Sequence, residues 1–282
     1  MASTAFQTLY RQETIMGFEQ SQSLLRDTVT TAGTMEGNQF VFLVADSGSA
    51  EAVSRGTNEM IPARVDNNTQ LTATLSEWHD KVIKTRFNIF ASQGDQRAIM
   101  QATTMGVINR KIDSQIITEL NTGTVTAGSS TTIPSPLLFQ NSVVKLSNAS
   151  VPWDANITLL CQPSFLAYLE LATEFSSADY VDIRPYANGD ASWRDKPVAY
   201  RWRNCLIVPH PNLPGKATAS EKSFMYHKSA LGHAADTAGM STAVGYDDQD
   251  DYSYARVSMF MGVKLLQNTG IVVITADGTA LG

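Results

Sequence analysis

The most regular pattern in the chain is an apolar stripe through residues 95–120. Spacings of three and four positions separate its members, which are Ala98, Ala102, Met105, Ile108, Ile112, Ile116 and Leu120. Such spacing predicts an amphipathic α-helix with one buried face, and Asp95 is placed to cap its first turn. No proline interrupts the segment, so we expect one helix about 40 Å long. A helix of this length is usually a structural support, and this one contains no recognisable set of catalytic residues.

Two extended flanks and a long polar stretch precede this helix. The apolar run 39–45 predicts a strand that is too apolar to lie at a sheet edge, and extended patterns resume at 71–75 and 82–90. Between them, residues 46–70 are rich in Ser, Gly, Asn and Asp. Extended flanks around a polar tip are typical of a projecting hairpin. Polar excursions this long are usually functional or disordered, and we expect this one to make contacts elsewhere.

Residues 1–36 have too few apolar side chains to form a core of their own. They predict either an arm with one or two helical turns, ordered by packing on a neighbour, or a disordered tail.

The chain after the long helix predicts an α+β lobe. Residues 121–136 are rich in Gly, Ser, Thr and Pro and are typical of a linker. The patterns that follow predict a helix at 137–146, a buried strand at 157–161, a helix from Pro163 with Phe165, Tyr168, Leu169 and Leu171 on or near one face, and strands at 200–202, 206–208 and 224–226.

The clearest strand pattern is the alternation of apolar residues over 255–265, which predicts one buried face. Residues 267–270 are expected to form a turn that leads back into residues 271–274 as a hairpin.

Composition narrows the possible functions. The formal net charge is −6 and no Lys- or Arg-rich run occurs, which disfavours nucleic-acid binding through a basic patch. Charged residues make up 17%, below the roughly 25% of typical soluble domains, as expected for a chain with an oversized core or one that hides surface against copies of itself. No apolar segment is long enough to span a membrane. Cys161 and Cys205 lie in apolar runs, which favours two buried, reduced thiols of an intracellular protein.

The search for catalytic and metal-binding patterns predicts no catalytic, cofactor or metal residues. His79 and Asp80 could orient a base, but the start of a surface strand explains them equally well. The acidic run 247–251 lacks the ligand spacing of a calcium-binding loop, so a solvated loop is favoured over a metal that bridges subunits.

The order of these parts resembles the major capsid proteins of tailed bacteriophages, whose shell fold is shared with encapsulins. Matching stretches are 108–120 (INRKIDSQIITEL), 157–171 (ITLLCQPSFLAYLEL), 202–214 (WRNCLIVPHPNLP) and 254–274. The resemblance implies an α+β shell fold with an N-terminal arm (1–36), a peripheral domain (37–45 and 78–133, with a spine helix at 95–120), an extended loop (46–77), an axial domain (134–238) and peripheral return strands (239–282).

The resemblance also implies a function. The chain is expected to be a non-enzymatic major capsid subunit, without a cofactor, that assembles into pentamers and hexamers of an icosahedral shell around double-stranded DNA. It would bind that DNA without sequence specificity, contact no membrane, belong to the virion capsid and assemble in the bacterial host cytoplasm. Scaffolding, portal or decoration proteins are the further partner classes. The alternatives are an encapsulin-like compartment shell and an α+β enzyme that uses His79 and Asp80.

The resemblance assigns intersubunit contacts to the extended loop. Arg55, Glu59 and Arg64 are the candidates for charged contacts with an adjacent subunit, and Glu51 is a weaker one. Residues 46–70 contain no lysine, so the Lys–Asn cross-link formed by some relatives is not expected. The 36 residues before the first strand are too few for a long scaffolding segment.

Packing of the spine helix follows from the same resemblance. Its apolar stripe should face the C-terminal sheet through Val257, Met259, Met261 and Val263. Its polar face, with Arg97, Gln101 and Lys111, should then point to solvent or to the next subunit.

Overall fold

The computed structural model describes residues 22–32, 37–47, 50–57, 61, 63–64, 67–91, 95–176, 200–236 and 239–281. Over these residues the fold is a mixed α+β arrangement of two sheets, a two-stranded ribbon and one long helix. The helices are α1 (Arg86–Ala91), α2 (Gln96–Leu120), α3 (Pro136–Asn148), α4 (Pro163–Leu171) and α5 (Thr173–Ser176). The strands are β1 (Thr30–Thr31), β2 (Gln39–Asp46), β3 (Asn67–Thr74), β4 (Ser76–Thr85), β5 (Thr126–Gly128), β6 (Ile157–Cys161), β7 (Tyr200–Trp202), β8 (Cys205–Pro209), β9 (Glu221–His227), β10 (Leu231–Ala235), β11 (Ser241–Asp247), β12 (Tyr252–Leu265) and β13 (Ile271–Ala276).

The long alternating strand β12 is the centre of a five-stranded sheet. Strand β4 pairs with it antiparallel along one edge, and β10 and β11 share the other edge. Strand β1 adds to β10 in parallel. Residues at odd positions from Ala255 to Met261 are buried, which confirms the predicted single buried face.

A six-stranded sheet follows the order β5-β13-β9-β6-β8-β7. The last strand of the chain, β13, lies inside this sheet and pairs antiparallel with β9 and parallel with β5. The predicted hairpin between β12 and residues 271–274 is therefore wrong. Residues Ile271–Ile274 are buried or nearly so at every position, as in a central strand covered on both faces, and such a strand needs a neighbour on each edge.

The long helix confirms most of the predicted pattern. It spans 25 residues, and the Asp95 carboxylate accepts the N–H groups of Arg97 and Ala98 at its first turn. The first half of the predicted stripe is wrong, because Ala98 and Ala102 are exposed. In that half of the helix Gln96, Met100 and Thr104 are buried instead. Together with the predicted Ile108, Ile112, Ile116 and Leu120 they form a series in which a buried residue recurs every four positions. A four-residue repeat turns the buried face slowly around the helix, which suits packing across twisted sheets.

The predicted packing of α2 against the C-terminal sheet is confirmed. Val257, Met259 and Met261 lie in one buried cluster with the second half of the helix, and Val263 packs at its margin. The predicted polar face is partly wrong, because two of its residues contact the chain's own five-stranded sheet. The Arg97 guanidinium donates to Ser253 Oγ at 3.3 Å, and Lys111 Nζ lies 3.8 Å from the centroid of the Trp78 ring.

Three local expectations also differ from the structure. Residues 86–90 were expected to be extended but belong to helix α1. Strand β2 was expected to be too apolar for an edge, yet among the described strands it pairs only with β3, and Val41 and Leu43 are exposed. Helix α4 buries Phe165 and Leu169, whereas Leu171, at its last position, is 74% exposed.

None of the described helices is both long enough and apolar enough to cross a bilayer.

Candidate assembly surfaces

The first candidate surface is a projecting ribbon made of β2 and β3. The two strands pair antiparallel over eight residues each, from Gln39 opposite Thr74 to Asp46 opposite Asn67. At about 3.4 Å per residue the ribbon is about 25 Å long. It agrees with the predicted hairpin, although its return strand begins at Asn67, within the stretch expected to form the polar tip.

Close backbone packing fixes the root of this ribbon. The Phe42 ring lies over Gly232 of β10, where a Cβ would sit 2.5 Å from a ring carbon. A Cβ on Gly262 of β12 would lie 2.3 Å from the carbonyl oxygen of Thr74. Glycine is therefore required at position 262, where the neighbour is backbone, and a side chain at position 232 would displace the Phe42 ring. The Leu75 N–H also donates to the carbonyl oxygen of Asn38 at 2.9 Å, which closes the root.

Apolar side chains are exposed along the ribbon and its tip. Val41 and Leu43 on β2 are 49% and 63% exposed, and Val53 and Ile61 on the tip are 63% and 71% exposed. Every described tip residue between the two strands is exposed. Burial of these side chains against a partner would remove apolar surface from water, so the ribbon has the character of an interaction surface.

The charged tip residues that sequence reasoning selected are only partly described. Glu51, Arg55 and Arg64 are exposed on the tip, and Arg64 already has an interaction within the chain. Glu59 lies outside the described residues. Contacts between these residues and an adjacent subunit stay a prediction.

The sequence patterns did not reveal a buried polar cluster around Asp113 of helix α2. The Asp113 side chain is 1% exposed and accepts hydrogen bonds from Ser23 Oγ at 2.5 Å, Leu24 N at 3.0 Å and Leu25 N at 3.2 Å. Burial opposes ionisation, but these bonds and the nearby His210 ring outweigh it and hold the pKa of Asp113 below its usual 3.8. Asp113 was visible in the sequence as an acid beside Ile112, within the apolar stripe.

The residues of the enzyme alternative, His79 and Asp80, do not come together. His79 is exposed and contacts Glu77 at 2.7 Å, and Asp80 points to the opposite face of β4 because side chains alternate along a strand. The predicted buried thiols are confirmed, since Cys161 and Cys205 are both buried and free. Burial raises the pKa of both thiols, that of Cys205 to about 12, so neither is a ready nucleophile.

The acidic run 247–251 forms the turn between β11 and β12. Two of its four carboxylates are engaged locally: Asp247 Oδ1 accepts the N–H of Gln249 at 3.0 Å, and the Tyr246 hydroxyl donates to Asp251. The first of these bonds lowers the pKa of Asp247. Among the residues that the structure describes, no group of three or more His, Cys, Asp or Glu side chains is placed to hold a metal ion.

Comparisons with solved structures agree with this fold. The structure of Mycobacterium phage Che8 superposes with a TM-score of 0.71 at 16% identity, covering 97% of this chain and 98% of that one. The capsid asymmetric unit of cyanophage Pam1 gives 0.72 at 11% identity, covering 99% and 98%. A virus-like particle from Pyrococcus furiosus gives 0.58 at 14% identity, covering 90% and 92%. At these identities the likeness shows a shared α+β shell fold.

Sequence comparison assigns the family. A family model described as phage capsid protein matches residues 2–150 and 142–277, which is almost the whole chain. No curated protein matches in sequence. The predicted resemblance and fold class are therefore confirmed, and the enzyme alternative is wrong because the family is structural. This chain belongs to the phage capsid protein family and is a major subunit of a capsid shell.

Proposed function

We propose that this capsid subunit assembles with copies of itself into pentamers and hexamers of an icosahedral shell that encloses double-stranded DNA. The observation that carries the proposal is the projecting ribbon, which has a fixed root and exposes Val41, Leu43, Val53 and Ile61. A lone subunit gains nothing from these exposed apolar side chains. In a ring of subunits, each ribbon can cover part of the next copy, and repeated heterologous contacts of this kind close into rings.

The proposed division of the subunit follows its two sheets. The five-stranded sheet with helix α2 would form most of the peripheral domain, and the six-stranded sheet with α3 and α4 would form the axial domain near the five- or six-fold axis. Strands β5 and β13 lie in the second sheet and β10 in the first, so the proposed domains differ at these three strands from the predicted boundaries at 78–133, 134–238 and 239–282. Of the arm expected at residues 1–36, the described part 22–32 packs in this chain's own core through Leu25 and Val29, so that part of the expectation is wrong, and residues 1–21 and 33–36 lie outside the described residues. Residues 46–77 would be the extended loop.

The proposed contents and partners rest on charge and on the family. A subunit with a net charge of −6 would not bind packaged DNA tightly, so the shell would enclose DNA without reading its sequence. The shell would assemble in the host cytoplasm, and scaffolding, portal or decoration proteins are its further proposed partners. A compartment shell of the same fold is the second candidate, supported by the similarity to the particle from Pyrococcus furiosus.

Charge reversal on the hairpin tip tests the proposed contacts. We expect Arg55→Glu, alone and with Arg64→Glu, to lower the yield of rings and particles in size-exclusion chromatography and negative-stain microscopy. Arg55→Lys with Arg64→Lys is the matched control, because it keeps both charges, and circular dichroism checks that every variant folds. Wild-type particle yield from the Glu variants would reject the contact. Wild-type chain that stays monomeric or dimeric, even when expressed with its scaffolding protein, would reject self-assembly.

A further inference from the structure

A serine, a histidine and an aspartate lie in hydrogen-bond contact at the end of strand β9. Ser229 Oγ is 2.7 Å from Nδ1 of His227, the last residue of the strand. Nε2 of the same ring is 3.1 Å from Oδ1 of Asp154, in the turn that precedes β6. Asp154 and His227 are 73 residues apart in the chain, so the fold and not a local motif brings the group together.

The hydrogen bonds of the His227 ring define which nitrogen carries its proton. The Ser229 N–H donates to Nδ1 at 3.2 Å, so Nδ1 is the acceptor of the ring. In the neutral imidazole the proton is then on Nε2, where the Asp154 carboxylate accepts it. The Ser229 hydroxyl therefore faces a ring nitrogen that can take its proton. A nucleophile, a base and a group that orients the base form the arrangement that activates a serine.

The Asp154 carboxylate is itself held in place by its own turn. The backbone N–H of Asn156 donates to Oδ1 at 2.9 Å and its side-chain amide donates to Oδ2 at 2.8 Å. These bonds, the backbone one above all, lower the pKa of Asp154, so the group is ionised at neutral pH. The Lys228 N–H also donates to the carbonyl oxygen of Asn156 at 3.0 Å, which fixes this turn against the end of β9.

The exposure of the three side chains suits a reaction with a molecule from solution. Ser229 is exposed, whereas His227 behind it is 8% exposed. A reagent can therefore reach the hydroxyl, while the surrounding chain keeps the ring in one orientation. His227 also caps the 3-10 turn Lys228–Ala230. That cap uses the Ser229 N–H and does not account for the shorter contact, which comes from the hydroxyl.

We propose that Ser229 is a modification site that accepts an acyl group from an activated ester, with His227 as the general base and Asp154 as its positioning residue. Ser229 Oγ forms a bond to the ester carbonyl carbon, and the bond from that carbon to the leaving oxygen breaks. The hydroxyl proton passes to His227 Nδ1 and then to the leaving group, and nothing is oxidised or reduced. Each chain is acylated once and does not turn over, which is compatible with a structural subunit. The inference goes beyond the proposed function and does not depend on it.

Ser220 provides a matched control at the other end of the same strand. It directly precedes β9 and is exposed, as Ser229 is. In the part of the chain that the structure describes, its hydroxyl makes no hydrogen bond to a histidine, and its N–H donates to Thr218 Oγ1. Both serines react in the same sample, so a difference between them reports the surroundings of the hydroxyl and not the conditions.

Treatment of the full-length chain with p-nitrophenyl acetate at neutral pH tests the proposal, with peptide mass spectrometry to measure acetylation of each serine. A positioned general base accelerates a reaction by about a hundredfold or more, so even at this exposed site Ser229 should react at least about tenfold faster than Ser220. In His227→Gln the rate at Ser229 should fall to that of Ser220. Asp154→Asn should lose most of the difference and Asp154→Glu should restore part of it, because the carboxylate returns. The rate at Ser220 should be the same in every variant.

Three results would overturn the proposal. They are equal acetylation of Ser229 and Ser220 in the wild-type chain, a faster reaction at Ser229 that persists in His227→Gln, and acetyl groups on His227 without any on Ser229. Circular dichroism checks that each variant folds. If His227→Gln does not fold, Asp154→Asn decides, because the Asp154 side chain is 44% exposed and its change removes no core packing. An unchanged rate at Ser229 in that variant would reject the activated serine.

Discussion

Truncation of Ile116 to alanine should destabilise the unassembled subunit more than a similar truncation at an exposed position of the same helix. Ile116 is fully buried on α2 and belongs to the cluster that contains residues from both sheets. The same cluster contains Met259 of β12, a strand that is paired with β4 on one edge and with β11 and β10 along the other. A strand held on both edges cannot move in to fill the space that the truncation leaves.

The size of the effect follows from that rigidity. Removal of buried methyl and methylene groups from isoleucine costs about 2–5 kcal/mol, and the larger values occur where the cavity cannot collapse. We therefore expect about 4 kcal/mol for Ile116→Ala. With a urea dependence of up to about 3 kcal/mol per molar, the unfolding midpoint should fall by about 1 M or more. Circular dichroism of the subunit in a urea series measures this shift directly.

Val107→Ala is the control on the same helix, since Val107 is 36% exposed. It should cost less than about 1 kcal/mol, because little buried apolar surface is lost and alanine favours the helix. If both variants shift the midpoint equally, the four-residue repeat of buried positions does not describe how α2 packs.

Two further predictions concern the root of the ribbon and the response to acid. Gly262→Ala should lower the subunit's stability by about 1–3 kcal/mol, because its Cβ would lie 2.3 Å from the Thr74 carbonyl oxygen. An unchanged thermal midpoint would contradict that close approach. Burial, aided by the charge of Arg26, lowers the pKa of His233 from 6.5 to about 4. The unfolded chain therefore binds a proton that the folded subunit excludes, and stability should fall as the pH drops from 6.5 to 4. In His233→Gln this fall, measured by urea unfolding at each pH, should be shallower; an unchanged slope would show that another group causes it.

Elements with strong local patterns were predictable from the sequence. Strand β6 was expected at residues 157–161 and is found there, because a short apolar run followed by proline fixes both its type and its end. Helix α2 was predicted within one residue, since Asp95 caps it and no proline interrupts it. Strand β12 showed its buried face through alternation alone.

Features that depend on distant partners were not predictable. The turn at 267–270 was recognised from the sequence. Whether β13 pairs with β12 or with β9, however, depends on residues that are far from it in the sequence. Ala98 and Ala102 fit the helical period yet are exposed, because a period does not show where a sheet ends. Asp113 was visible as an acid in an apolar stripe, but its donor Ser23 is 90 residues away.

The glycines at the root of the ribbon determine how a shell made from this subunit could adapt to its own curvature. In the proposed shell of pentamers and hexamers, neighbouring subunits would present the same surface at slightly different angles. Because Phe42 packs against Gly232 and Thr74 lies against Gly262, the base of the ribbon is held firmly against the five-stranded sheet. Any angular difference must then be absorbed beyond Asp46 and Asn67, where the paired strands end, and not by rotation at the sheet.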